Sequence, residues 1–163
     1  MTTTTYSNLP RVVITGLGVV SPIGIGVDAF WDSLRNGRSG IARISSFDPE
    51  PFSTQIAGEV NDFVAEDFVD KKLVKRSDRV IHFALAASQL AVEHAKLDLD
   101  QCDRERVGVV IGTGIGGMSS WEEQHSNLIT KGPRRISPFF IPMMIPGAGE
   151  PGTRSSARSA YRG

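Results

Sequence analysis

Two short β-branched runs, Val12-Val13-Ile14 and Val109-Val110-Ile111, lead directly into closely spaced glycines: Gly16 and Gly18 after the first, Gly112, Gly114, Gly116 and Gly117 after the second. Runs of this kind read as buried strands, and the glycines at their exits allow tight turns or close backbone approach. Between the two lies a helical pattern preceded by Ser77. Val80, Ala84, Ala87, Ala91 and Ala95 form its stripe, which Ile81, Phe83, Leu85 and Leu90 widen. Such a broad apolar surface requires packing on more than one side. An earlier short helix is marked by Val27, Phe30, Trp31 and Leu34 at i, i+3, i+4 and i+7, with Gly37 at its C′ position. Between the first strand and this helix, Pro22-Ile23-Gly24 predicts a turn. Residues 38–62 read as loop with a short edge strand around TQIAGEV, and Ser119-Ser120-Trp121-Glu122 has the capping-box spacing that opens a third helix. Strand, helix, helix, strand, helix predicts an α/β layered domain with a mainly parallel sheet. Only two strong strands are visible, fewer than such a sheet normally needs, so the unit reads as incomplete.

Composition narrows the classes. The chain has 163 residues and balances 18 Lys+Arg against 18 Asp+Glu, which argues against wholesale binding to nucleic acid or to an anionic membrane. A single Cys forms no internal disulfide and no thiolate zinc site. No apolar run reaches the roughly 18–20 residues of a membrane helix, and the threonine-rich start has no secretory pattern, so a cytoplasmic protein is expected. Residues 1–9 are expected to be disordered and 10–145 to form the body. After the apolar FFIPMMI, the tail 146–163 loses all hydrophobic pattern and consists mostly of Gly, Ala, Pro, Arg and Ser. Such a tail is expected to be disordered. Its composition is also what a GC-rich gene yields when translated out of frame.

Few residues offer chemistry. Gly112-Thr113-Gly114-Ile115-Gly116-Gly117 formally contains G-x-G-x-x-G after a strand, but the acidic residue of a dinucleotide site is missing where Thr130-Lys131-Gly132 stands. A structural or ligand-lining turn is the better reading, and a dinucleotide-binding domain the weaker alternative. Basic residues cluster twice, at Lys71, Lys72, Lys75, Arg76 and Arg79 and at Lys131, Arg134 and Arg135. Solvated charge accounts for both on residue pattern alone. If they bind anything, an acidic protein suits them better than nucleic acid, because no aromatics are interleaved. Cys102 lies among Asp98, Asp100, Asp103 and Glu105, whose charge disfavours a reactive thiolate. His82, His94 and His125 are too scattered to share a metal at helical spacing, and no cofactor is implied.

Taken in order, RVVITGLGVVSPIG, DAFWDSLRNGRSGI, FDPEPF, RVGVVIGTGIGG and GPRRISPFFIPMMI resemble the start of the β-ketoacyl-[acyl carrier protein] synthases, nearest the type II enzymes, over about residues 10–145. The resemblance implies part of a thiolase-like fold, a homodimer, and decarboxylative Claisen condensation of an acyl-enzyme with malonyl-carrier protein. It also implies that the nucleophilic Cys, both catalytic His and a supporting Lys fall beyond Gly163, so this chain has no catalytic residue of its own and is expected to be inactive. By position, Ile115 matches the floor of the acyl pocket, and Phe140 matches an aromatic reaching toward the partner's acyl tunnel. Lys72, Lys75, Arg76, Arg134 and Arg135 match cations that dock the acidic carrier protein. The alternative is a non-catalytic module that binds carrier protein or dimerises with an intact subunit.

Overall fold

The computed structural model describes residues 10–144. The segments 1–9 and 146–163, read from sequence as disordered, lie outside the described residues. Helices dominate. A tight hairpin pairs β1 (Val20–Ser21) with β2 (Gly24–Ile25). It makes the turn expected at Pro22-Ile23-Gly24, with Gly24 and Gly26 bending the chain and Gly26 N–H closing onto Val19 O at 2.8 Å. Helix α1 (Val27–Arg35) follows at once and stops at Gly37, whose φ of +63° and N–H bond to Leu34 O realise the expected C′ glycine. Next, β3 (Ile41–Arg43) pairs antiparallel with β4 (Ile56–Gly58), placing Ile41 opposite Gly58 and Arg43 opposite Ile56. β4 is the short strand expected around TQIAGEV; its partner β3 was read as loop.

Helix α2 (Lys71–Val74) is a single turn capped by Asp70, whose carboxylate accepts from Lys72 N–H at 2.7 Å. Helix α3 (Arg79–Ala95) is the long helix of the sequence pattern and ends at Lys96, which adopts the left-handed conformation. Its cap is Asp78. Helix α4 (Met118–Lys131) leads through a 3₁₀ turn (Pro133–Arg135) into α5 (Phe140–Met144). The core sits where α3 meets the 63–69 segment. Phe63 and Val69 are buried there, Phe63 stacks on Phe68 and meets Phe83 edge-on at 4.9 Å, and the Arg79 guanidinium lies over Phe83.

The mainly parallel sheet is not confirmed. Among the described residues both sheets are two-stranded and antiparallel, and neither Val12–Ile14 nor Val107–Ile111 joins a ladder. Val12 and Val110 are almost wholly exposed, at 90% and 97%. The geometry supplies the reason. The first segment runs antiparallel to α3: Gly16 abuts Ala91 and Ala95, and Gly18 abuts Ala87 and Ala91. Because α3 ends at Ala95, residues 12–14 project past its end, and no helix among the described residues covers them. Ile111 and Thr113 face Gly18 and Val20 across a hollow of about 380 Å³, lined further by Phe83 and Ala87 of α3. Paired strands lie about 4.8 Å apart with nothing between them, so these two segments flank α3 as separate extended pieces.

Candidate functional site

Three helix ends converge on one buried residue, Asp78. Its Oδ1 accepts from Val80 N–H at 3.2 Å, capping α3. Its Oδ2 accepts from Ser120 N–H at 2.8 Å, in the first turn of α4. Its own N–H donates to Met143 O, near the end of α5. Gly117, the N-cap residue of α4, has no side chain to offer and donates its N–H to Met144 O at 2.9 Å. The capping box read at Ser119-Ser120-Trp121-Glu122 is therefore corrected: the helix begins at Met118, and the acceptor that its first turn needs comes from α3. Two glycines make room for the junction. A Cβ on Gly117 would lie 2.7 Å from Asp78 Cβ, and one on Gly116, which has a φ of +90°, would lie 2.8 Å from Met144 O.

Ile115 occupies the loop that this junction holds and is 77% exposed. Gly116 N–H donates to Thr113 Oγ1, tightening the loop on itself. Phe140 is the first residue of α5 and is half-buried. Its approach is fixed by Ser137, whose N–H donates to Oε1 of buried Gln124 at 2.7 Å and whose Oγ accepts from Phe139 N–H. The loop carrying Ile115 and the helix carrying Phe140 are thus hydrogen-bonded into one unit through Gly117, Asp78 and α4.

The five cations lie in the segments that lead into Asp78 and Ser137. Lys72 lies in α2, while Lys75 and Arg76 follow it, two residues before Asp78 in the case of Arg76; all three are exposed. Arg134 and Arg135 stand exposed in the 3₁₀ turn just before Ser137. Arg135 lines a hollow of about 580 Å³ with Asn127 and Lys131, whose ammonium donates to Asn127 Oδ1. Among the described residues the ion pairs are Arg38 with Asp32 and Arg104 with Asp100, so none of the five cations is matched by a carboxylate.

Other candidates fall away. A dinucleotide needs free N–H donors at the helix start behind the glycine loop, but here Gly117 and Ser120 are already bonded and the Asp78 carboxylate occupies that terminus. Cys102 sits in a polar turn and donates to Asp98 O at 3.2 Å. His82 is buried, with Nε2 3.1 Å from Ser77 Oγ, and burial pushes its pKa below the ordinary value despite the nearby Asp78 charge. It is a neutral core histidine. Asp78 and Gln124 were missed by sequence reasoning. An Asp directly before an apolar helical stripe is a cap signal that could have found the first; nothing local points to the second.

Residues 10–149 match the family model described as the beta-ketoacyl synthase N-terminal domain. The chain is 48% identical over 136 residues to a 3-oxoacyl-[acyl-carrier-protein] synthase 2 of Staphylococcus aureus (strain COL), covering 83% of this chain and 33% of that protein. It therefore spans about a third of the length of this curated relative. Among solved structures, the ishigamide ketosynthase/chain length factor superposes with a TM-score of 0.69 at 30% identity, covering 82% of this chain and 33% of the other. A type II polyketide ketosynthase in complex with its acyl carrier protein superposes with a TM-score of 0.67 at 23% identity, covering 83% of this chain and 35% of the other, and so bears on fold alone.

Proposed function

Because this chain belongs to the beta-ketoacyl synthase family, matched through its N-terminal domain, we propose that it forms the substrate-receiving part of a 3-oxoacyl-[acyl-carrier-protein] synthase acting in cytoplasmic fatty-acid synthesis. In that reaction an acyl thioester on the enzyme is attacked by the enolate that malonyl-carrier protein yields on losing CO₂. The new carbon–carbon bond forms as the enzyme thiolate leaves. Such chemistry needs a thiolate at a helix N-terminus and donors for the developing enolate charge. Cys102, hydrogen-bonded to Asp98 O in a polar turn, offers neither. We assign residues 10–144 to holding acyl chain and carrier, and bond making to the Cys, two His and Lys that the family carries after the stretch matched here. The chain by itself is expected not to condense acyl and malonyl groups.

What supports this reading is that the five cations, none paired with a carboxylate among the described residues, lie in the segments leading into Asp78 and Ser137, which tie the Ile115 loop to the Phe140 helix. A carrier protein, acidic on its surface, would meet those cations while its acyl chain reaches the Ile115 loop. Titration of the full chain with holo acyl carrier protein tests it. The triple variant Lys72→Glu, Arg76→Glu, Arg135→Glu weakens binding at low salt, chiefly through slower association. The difference shrinks once the Debye length falls to about 8 Å at physiological salt. Binding that survives the triple reversal unchanged removes the docking assignment. The exposure of Val12, Ile14 and Val110 favours a second reading, a non-catalytic module that dimerises with an intact subunit. Co-elution with a full-length synthase at the mass of a mixed dimer would favour that reading.

A further inference from the structure

We propose that Asp78 is the positioning residue of the acyl-pocket loop: one buried carboxylate holds the start of α4 against the start of α3 and so sets where Ile115 stands. The inference rests on the reading of Ile115 as acyl-pocket floor, and it adds a residue that this reading does not contain. The two carboxylate oxygens divide the work. Oδ1 serves the local cap at Val80, two residues on, whereas Oδ2 reaches Ser120, 42 residues away in sequence. Gly117 offers no side chain and neither Ser119 nor Ser120 caps the helix, so the side-chain acceptor at the α4 terminus is supplied by Asp78. The Asp78 backbone adds a third tie, to Met143 O of α5. Gly117 belongs to the same device, because a methyl group there would meet Cβ and Cγ of Asp78 at 2.7 Å. Ile115 is two residues from Gly117 and is linked to it by Gly116, whose φ of +90° fixes the direction of the turn.

The division between the oxygens makes the proposal testable, since a serine keeps a local N-cap acceptor and has no second oxygen. In the full chain, Asp78→Ser keeps a cap for Val80 and gives up the bond to Ser120. Amide hydrogen exchange at Ser120 then speeds up by roughly 10- to 100-fold, the effect of losing one buried charge-assisted hydrogen bond, and exchange at Gly117, bonded to Met144 O, rises with it, while the first turn of α3 exchanges as before. The δ1-methyl NMR signal of Ile115 shifts or broadens in the same variant, which a residue that merely caps α3 would not cause. Gly117→Ala, with Asp78 intact, gives the same pattern from the other side of the contact. Unchanged exchange at Gly117 and Ser120 in Asp78→Ser, or faster exchange spread evenly over every helix in either variant, overturns the proposal. No carrier protein enters these measurements, so the docking assignment and this one can fail separately.

Discussion

Adding a single methyl group at Gly18 should peel the amino-terminal segment off α3. A Cβ there would lie 2.6 Å from Ala91 N and closer still to Ala87 O, where ordinary contact begins at 3.4 Å. The obstacle is helix backbone, which has no rotamer to change, so the segment must retreat by about 1.6 Å. A gap of 0.5–1 Å forfeits a quarter to a half of each dispersion contact it opens. The retreat also stretches the bond from Leu17 N–H to His94 Nδ1, now 3.1 Å. Overpacking of this kind costs about 1–3 kcal/mol, and contact with rigid backbone places Gly18→Ala toward the upper end. Gly16 packs on the next turn of the same helix, with Ala95 Cβ 2.6 Å from its would-be Cβ. One retreat relieves both sites, so Gly16→Ala together with Gly18→Ala should cost little more than either alone. Gly114→Ala is the control: nothing lies within 4 Å of a Cβ there and its φ is not positive, so it should be neutral or slightly stabilising. The midpoint of urea unfolding, followed by helix ellipticity, reads all four proteins. A Gly18→Ala midpoint equal to that of Gly114→Ala, or fully additive losses in the double variant, would refute the packing argument.

Three further outcomes are expected. His82 has a folded-state pKa below its ordinary 6.5, so its contribution to stability is complete above that value and is lost as pH falls through the folded pKa; His82→Gln should flatten stability between pH 7 and 5, and an unchanged slope would contradict a buried neutral ring. Glu59 is held down to about 2 by hydrogen bonds from the Ser46 and Ser45 side chains and from their backbone, so exchange at the Ser45 and Ser46 amides should rise as pH drops from 4.5 toward 2 by more than the intrinsic rate predicts, and Glu59→Gln should show that rise already at neutral pH. The exposed Val12, Ile14 and Val110 should make the chain self-associate and bind an apolar dye, and Val110→Lys should reduce both; a monodisperse wild-type chain without dye binding would show that those segments are covered.

How much was legible follows the range of each interaction. Helices α1 and α3 and the 22–24 turn were readable because their signals lie within a few residues: the 3.6-residue stripe, the C′ glycine at Gly37, the Pro-Ile-Gly bend. The glycines at 16 and 18 allow tight turns or close approach in the sequence, and the structure shows close approach to the alanines of α3. Sheet formation was not readable, because β-branched residues state a preference and a ladder requires a neighbour at the right distance. Val107–Ile111 has the composition of a strand and no strand beside it among the described residues. The start of α4 failed for a related reason: the Ser119–Glu122 pattern is a sound local cap, but an acceptor 42 residues away displaces it. The positions of Ile115, Phe140 and the cations came from the family resemblance; the hydrogen bonds that join them are three-dimensional facts.

Lys72, Lys75, Arg76, Arg134 and Arg135 are proposed to dock one acidic carrier protein. Photo-crosslinking tests it most directly. A benzophenone amino acid is placed at position 76 or 135 in the full chain, or at 38 or 104, where the native arginines are paired with Asp32 and Asp100, and each protein is irradiated with holo acyl carrier protein. Crosslinks from 76 and 135 and none from 38 and 104, suppressed by salt as interface-rim electrostatics require, are the predicted result. Equal crosslinking from all four positions, or crosslinks from the controls alone, would contradict it.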